Sequence, residues 1–202
     1  MPRIRAASIE EHKLRTRSDI LEAAGALFSA QGYGGTGLGD IAAIVGIGRT
    51  TLYEYFPDKE SILVELVEER LPGVVADMLD GLPDRLSHRE RLSEVLVRGI
   101  VYVSTDDHLG SVVMRELPRL SPAAQRRIAE AHEALPREIV RICREGIEAG
   151  EFRPFDPEEA GRIVSALMMS ASSVLLRDAD AKNRMHEMAD TIVRFVFEGL
   201  SA

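Results

Sequence analysis

The chain has little of what covalent or metal cross-links require, because its 202 residues include a single cysteine, Cys143. One cysteine can form neither an internal disulfide framework nor a cysteine-based zinc cage. We interpret Cys143 as a small buried apolar residue rather than a redox sensor, which suits a reducing compartment. The five histidines show no local metal-ligand spacing, so neither a metal nor another cofactor is expected.

A long hydrophobic run is also missing. No window approaches the roughly 18 uninterrupted apolar residues that a membrane-spanning helix needs. The charged start at residues 1–5 is not followed by the apolar stretch of a signal peptide. We therefore expect a cytoplasmic protein without a membrane partner. Apolar residues make up 45% of the composition, which is enough for the core of one or two small domains.

Positive charge is scarce overall, since the net charge is -8. That balance is unusual for a nucleic-acid-binding protein, but the charge is unevenly distributed along the chain. Residues 1–17 contain five basic and two acidic residues, a net of +3, whereas residues 61–202 hold -7 of the total. The acidic surplus therefore lies away from the N-terminal segment, whose basic arm is either a solvated terminus or a DNA contact.

Hydrophobic residues recur with helical periodicity, and no stretch alternates in the manner of a strand. The pattern predicts an all-α fold of about nine helices. They span residues 10–31, 38–45, 49–55, 59–79, 88–105, 107–117, 121–150, 157–177 and 183–200. Pro72 predicts an end or a kink in the fourth helix, and Pro136 predicts a kink or short break in the seventh.

The most informative segment is 40–56. A helix-turn-helix needs a small residue where its helices cross, a residue that tolerates positive φ in the turn, and apolar residues that fix a steep angle. Ala42, Gly46 and Ile47 supply the small residue, the turn and an apolar contact at the required spacing. The segment therefore predicts a helix-turn-helix, and Thr36 is placed to cap its first helix.

The second helix of this motif has side chains that its small core does not use. They are Arg49, Thr50, Thr51, Tyr53 and Tyr55. Arginine can pair bidentately with guanine, a threonine methyl can touch the thymine methyl, and threonine or tyrosine hydroxyls reach phosphates. Lys59, at the start of the fourth helix, can pair with a phosphate. Any one of these residues alone suggests a solvated surface, whereas together they favour contact with the major groove.

Residues 14–66 resemble the DNA-binding domain of the TetR family of bacterial regulators. The matching residues are Ile20, Leu21, Ala24 to Phe28, Gly32, Tyr33, Thr36, Asp40, Ile41, Ala42, Gly46, Ile47, Thr51 to Phe56 and Lys59. The resemblance implies that the third helix enters the major groove and that Thr36 and Lys59 hold phosphates. The residues implied to contact DNA directly are Arg49, Thr51, Tyr53 and Tyr55.

Two positions depart from the family pattern. Gly48 stands where a capping serine is frequent, and Thr50 stands where glycine, alanine or proline often precedes the Thr-Leu-Tyr run. The expected organisation is a DNA-binding domain at residues 1–57 and an effector-binding and dimerisation domain at residues 58–202. The second domain resembles the family only in its layout of helices.

The helix predicted at residues 157–177 is apolar over a wide arc. One face has Ile163, Leu167, Ser170 and Val174, and the adjoining face has Val164, Met168, Ala171 and Leu175. Such a helix is buried on two sides, either within its own domain only or also against a partner. The resemblance favours a homodimer formed through residues 157–177 and 183–200, which has the two-fold symmetry of a palindromic operator.

An effector site is expected among the fourth to eighth predicted helices, where polar or soft side chains interrupt apolar patterns. The candidates are Tyr102, His108, Met114, Arg115, Glu116, His132, Met168 and Met169. Each has an ordinary alternative, because a lone histidine is more often a surface or core residue and methionines more often only pack.

The sequence thus predicts a ligand-responsive, DNA-binding transcriptional regulator, most simply a repressor that a small molecule releases from a palindromic operator. An enzyme is a weaker alternative, because the sequence has no phosphate-binding loop, nucleophile elbow or recognisable pair of carboxylates. A helical enzyme could still assemble a site from distant residues. A third alternative, an interaction module that has lost DNA binding, conflicts with the intact set at residues 49–59.

Overall fold

The structure, a computed structural model, describes residues 2–83, 85–104, 109–176 and 180–200, without the side chains of residues 2–7, 103, 104, 181, 182 and 200. These residues form ten α-helices, one short 3-10 helix and no β-strand, which confirms the all-α prediction. The α-helices are α1 (Pro2–Gly35), α2 (Leu38–Val45), α3 (Arg49–Tyr55), α4 (Lys59–Asp80), α5 (His88–Ser104), α6 (Leu109–Glu116), α7 (Pro122–Ala131), α8 (Ala134–Glu148), α9 (Pro157–Leu175) and α10 (Ala181–Leu200). The 3-10 helix, Leu117–Arg119, follows α6.

The helix predicted at residues 121–150 is two helices, which raises the count from nine to ten among the described residues. A turn at residues 132–133 separates α7 from α8. Pro136 lies in the first turn of α8, where a missing N–H removes no helical hydrogen bond. The break therefore lies just before the proline, whereas α4 runs without interruption through Pro72.

The start of α2 differs from the prediction. Its N-cap is Gly37, whose backbone N–H donates to Asp40 Oδ2 at 2.8 Å. Thr36 is buried, and its hydroxyl donates to the carbonyl of Gly32 at 2.9 Å. The prediction that Thr36 caps α2 is wrong, because the hydroxyl instead satisfies a carbonyl at the kink of α1, where Gly32 has φ 77°.

Buried side chains form two clusters. The first joins α1, α2 and α3 to α4, α6 and α7, and it includes Ile20, Phe28, Ile41, Leu52, Phe56, Ile62, Leu66, Val113 and Ile128. The second joins α5, α8, α9 and α10, and it includes Leu92, Leu96, Ile139, Ile142, Val164, Leu175 and Phe197. The three N-terminal helices therefore share a core with α4, α6 and α7 rather than forming one of their own.

The contact between α8 and α9 is close at Gly161. A Cβ atom at this position would lie 2.3 Å from Val140 Cγ2 and 3.0 Å from Val140 Cα. The second distance involves the backbone of α8, so a rotamer change could not relieve the overlap. Glycine at residue 161 is therefore required by the spacing of the two helices.

We expect Gly161→Ala to lower the free energy of unfolding by about 1–3 kcal/mol, because the methyl group would force α8 and α9 apart. The matched control is Gly73→Ala in α4, where an added Cβ meets nothing within 4 Å. Alanine there should leave stability unchanged or raise it by up to about 1 kcal/mol. Urea unfolding of both variants checks the expectation, and equal midpoints would contradict it.

Candidate DNA-binding surface and ligand cavity

The turn between α2 and α3 has the geometry that the sequence predicted. Gly46 is left-handed, with φ 76° and ψ 28°, and its N–H donates to the carbonyl of Ala42. The N–H of Ile47 donates to the same carbonyl at 3.0 Å. Two donors thus satisfy one of the free carbonyls at the end of α2 and redirect the chain within two residues. The following helix is set at a fixed angle to α2.

Helix α3 is held by one face and exposes the others. Leu52 and the adjoining Phe56 are buried against α1, α2 and α4. The exposed side chains are Arg49, Thr50, Tyr53 and Glu54, and the half-buried ones are Thr51 and Tyr55. Arg49 and Tyr53 lie one turn apart, with Arg49 Nη2 3.4 Å from the Tyr53 hydroxyl. The five side chains predicted on this helix thus occupy its exposed face and its flank.

Arg17 is a structural residue of this surface that sequence reasoning missed. Its guanidinium pairs bidentately with Glu65 and donates from Nη1 to the carbonyl of Tyr55 at 3.0 Å. Its Cζ also lies 4.3 Å from the centre of the Phe56 ring. One side chain therefore joins α1, the end of α3 and α4. The sequence offered no signal for this, since Arg17 looked like one more cation of the N-terminal arm.

Thr36 and Lys59 lie together at the connection between α1 and α2. Lys59 Nζ donates to the carbonyls of Tyr33 and Thr36 at 2.5 and 2.8 Å, and it lies 4.2 Å from the centre of the Tyr33 ring. An ammonium group has three N–H donors, so one remains beyond these two bonds. Burial, with help from Glu60 and Asp58, raises the pKa of Tyr33 to about 12, which keeps the phenol neutral.

A cavity of about 270 Å³ lies among α4 to α9, and we call it the ligand cavity. Five of the predicted effector residues line it: Tyr102, Met114, His132, Met168 and Met169. Arg115 and Glu116 line a different groove beside Arg119. They follow Met114 on α6, and each successive helical residue turns away by about 100°. His108 lies outside the described residues.

The part of the cavity lining that the structure describes is mostly apolar and uncharged. None of these 19 described residues is an aspartate, glutamate, lysine or arginine. Sequence reasoning missed two polar members, Gln125 and Ser165, because nothing in their local patterns distinguishes them from ordinary helical residues. Ser165 donates its hydroxyl to the carbonyl of Gly161 at 2.8 Å, and Gln125 Nε2 donates to the carbonyl of Leu120 at 3.0 Å.

His132 is the most informative polar group of the cavity. Its Nδ1 lies 2.7 Å from the carbonyl of Ile128, which can only accept a hydrogen bond, so Nδ1 holds the proton. Burial lowers the pKa of His132 and outweighs the opposing effect of that hydrogen bond. The ring is therefore neutral at physiological pH, and its Nε2 is an acceptor. At Tyr102, burial raises the pKa and favours the neutral phenol, against the opposing charge of Arg70.

Other reactive groups are few. Cys143 is buried, and burial raises the pKa of its thiol to about 11, so little reactive thiolate exists near neutral pH. Within the described ranges, no three histidine, cysteine, aspartate or glutamate side chains lie where they could bind a metal ion together. Over the same residues, no helix is both long and apolar enough to span a bilayer.

Two family matches account for most of the chain. Residues 20–66 match bacterial regulatory proteins of the tetR family. Residues 85–200 match the tetracyclin repressor-like C-terminal domain. The first match contains the turn at Gly46 and all of α3, and the second contains α5 to α10.

Individual relatives have low sequence identity to this chain but align with most of its length. The fatty acid metabolism regulator protein of Bacillus subtilis (strain 168) is 26% identical over 134 residues, 66% of this chain and 69% of that protein. A transcriptional regulator from Saccharomonospora viridis, solved with choline, superposes with a TM-score of 0.74 at 23% identity, over 93% of this chain and 98% of that one. FadR from Bacillus subtilis, solved with stearoyl-CoA, gives a TM-score of 0.70 at 22% identity, over 87% and 97%. The two structures show that the fold is shared.

The turn at Gly46 generates a prediction about stability. Gly46→Ala should lower the free energy of unfolding by about 1–2 kcal/mol, because an L-residue at φ 76° is strained although open space surrounds the position. Gly48→Ser is the control, since Gly48 is the N-cap of α3 at φ -69°, where serine is accepted. Chemical denaturation of the two variants checks this. An unfolding midpoint for Gly46→Ala at or above that of Gly48→Ser would be the contrary result.

The half-buried imidazole of His132 generates a second prediction. The folded-state pKa of His132 is lowered from an ordinary value near about 6.5, so the unfolded chain takes up the proton first. Its contribution to stability is present above about pH 6.5 and is lost as the pH falls through the folded-state pKa. The variant His132→Gln should not show this loss of stability. Denaturation of both proteins from about pH 7.5 to about pH 5 measures the difference between their free energies of unfolding, which should shrink on acidification. A difference that stays constant over this range would contradict the lowered pKa of His132.

Proposed function

Because this chain belongs to the tetR family of bacterial regulatory proteins, we propose that it is a homodimeric repressor that a small molecule releases from a palindromic operator. The observation that supports this most directly is the surface of α3. This helix is seven residues long, and its buried residue Leu52 holds it in place. Its exposed arginine, threonine and tyrosine side chains do not pack in the core. Such groups suit the edges of bases and the phosphates of a major groove.

Each predicted DNA-binding residue has a proposed role. Arg49 pairs with a base, while Thr50 and Tyr53 extend the same exposed face of α3. Thr51 and Tyr55 contact the flanking backbone. Lys59 has one N–H left for a phosphate, and Thr36 positions the neighbouring backbone at the start of α2. The proposed DNA-binding domain is 1–57, and the effector-binding and dimerisation domain is 58–202.

The proposed dimer forms through α9 and α10. One face of α9 is buried within the chain, whereas Ile163 and Val174 on the other face are 61% and 53% exposed. Phe195 of α10 is 63% exposed and lines a groove between the two helices together with Ile163 and Leu167. Exposed large apolar residues that form one surface on two helices are typical of an interface. A second copy of the chain would cover it by two-fold symmetry.

The proposed release is a linkage between two binding equilibria. The effector binds better to a dimer whose two α3 helices are misplaced for successive major-groove turns, which are roughly 34–36 Å apart. The packing of α4, α6 and α7 supports this, because these helices line the ligand cavity and share a core with α1, α2 and α3. The complexes of two structural relatives with choline and stearoyl-CoA are consistent with a small organic effector. No catalytic step is part of the proposal.

The test is a substitution series on α3 and α4. Tyr53→Ala and Lys59→Ala should weaken binding to every sequence, and Lys59→Ala should reduce the salt slope by about 1 because one phosphate contact is lost. Arg49→Ala should cost about 1–3 kcal/mol and also relax sequence preference at one position. Fluorescence anisotropy measures this with duplexes selected from a random library, at several salt concentrations.

The matched control is Arg126→Ala, which removes an exposed cation from α7. It should bind the selected duplex as the unaltered protein does. If the selection enriches no sequence, or if all three α3 and α4 variants bind like the control, the chain is not a sequence-specific DNA-binding protein of the proposed kind.

A further inference from the structure

We propose that the ligand cavity binds a small, uncharged molecule whose hydroxyl or N–H group donates a hydrogen bond to Nε2 of His132. This inference rests on the proposed function, since it takes the ligand cavity to be the effector site. The chemical class of the ligand follows from the charge of the lining residues, from their hydrogen-bonding atoms and from the volume of the cavity.

The described lining residues carry no charge, which disfavours a charged group inside the cavity. Arg70 acts on Tyr102 from an exposed position, so a carboxylate or phosphate would be buried without a cation among the described lining residues, and an ammonium group without a carboxylate. An unpaired buried ion is costly because it loses its hydration and gains no partner. A quaternary ammonium can instead be held by aromatic faces, but Tyr102 is the only phenol, indole or phenyl ring among these residues.

Ser165 and His132 select a ligand that donates, whereas the amide of Gln125 has a second N–H beyond its bond to Leu120. Ser165 already uses its hydroxyl proton on the carbonyl of Gly161, so its oxygen can only accept from a ligand. His132 uses its Nδ1 proton on the carbonyl of Ile128, which leaves the lone pair of Nε2. Among the described residues, Nε2 has no hydrogen-bond partner of its own. A ligand that donates one hydrogen bond satisfies this partly buried acceptor, whereas a ligand that only accepts leaves it unsatisfied.

Size limits the ligand to a small molecule. The cavity volume of about 270 Å³ lies just below the range of about 300–1,000 Å³ that is usual for ligand pockets. Four methionines contribute to the lining: Met78, Met114, Met168 and Met169. Unbranched methionine side chains adapt to irregular shapes, so the walls can follow an aliphatic or alicyclic surface. An alkyl chain of medium length with a terminal hydroxyl fits this description, but a phosphate-bearing carrier does not.

The experiment is a set of calorimetric titrations of the full chain without DNA, below the solubility limit of each probe. The probes are 1-decanol, its isomer 1-methoxynonane, which cannot donate a hydrogen bond, and decanoate, which is charged. We expect 1-decanol to bind at least tenfold more tightly than either of the others. The proposal is overturned if 1-decanol does not bind, or if decanoate or the ether binds as tightly.

Substitution of the histidine tests the selecting atom. His132→Phe keeps a ring of similar shape and removes the acceptor, so the alcohol should lose its advantage while the affinity for the ether stays the same. Circular dichroism establishes that the variant is folded, and His132→Leu replaces it if it is not. A preference for the alcohol that survives in a folded variant would exclude His132 as the acceptor.

These titrations test the ligand class independently of the proposed DNA binding. They contain no operator, so a wrong ligand class leaves the DNA-binding series on Arg49, Tyr53 and Lys59 untouched. Conversely, tight binding of 1-decanol with no effect on operator affinity would contradict the proposed release and leave the ligand class standing.

Discussion

The packing of α4 against both parts of the molecule is the constraint on which the rest of the structure depends. Its first half buries Ile62 and Leu66 in the cluster that holds α1, α2 and α3. Its second half lines the ligand cavity with Leu71 and Val75. Helix α7 is attached to the same helix, since Arg127 donates to Glu68 at 2.8 and 2.6 Å. Because protein interiors are close-packed, the proposed release acts through a shift of α4 at the cavity that α3 follows.

Polar interactions around α3 mainly fix its position and leave few cations for DNA. Arg17 is paired with Glu65, and Lys59 is bonded to two carbonyls. The chain as a whole has a net charge of -8, so long-range attraction to phosphates is weak. The proposed affinity for an operator therefore depends on local contacts from few residues, such as Arg49 and Tyr53. That arrangement favours discrimination between sequences over non-specific binding.

The sequence predicted best what neighbouring residues determine. Gly46 could be identified as the turn because only a few residues tolerate its backbone conformation, and the helical periods gave most helix positions. The role of Thr36 could not be predicted, because it depends on a carbonyl that the kink at Gly32 presents. The cavity was predicted in part, since its lining comes from six helices. Whether Met114 or Arg115 faces inward depends on how those helices are rotated against each other, which no local pattern specifies.

The most direct test of the coupling through α4 fills the ligand cavity without any ligand. Ser165→Phe places a ring in the cavity from α9, and Ser165→Ala removes the same hydroxyl without filling the space. Operator affinity of both variants is measured by titration of the selected duplex at one salt concentration. The account predicts that Ser165→Phe binds at least tenfold more weakly than Ser165→Ala. Equal operator affinities for two folded variants would contradict it.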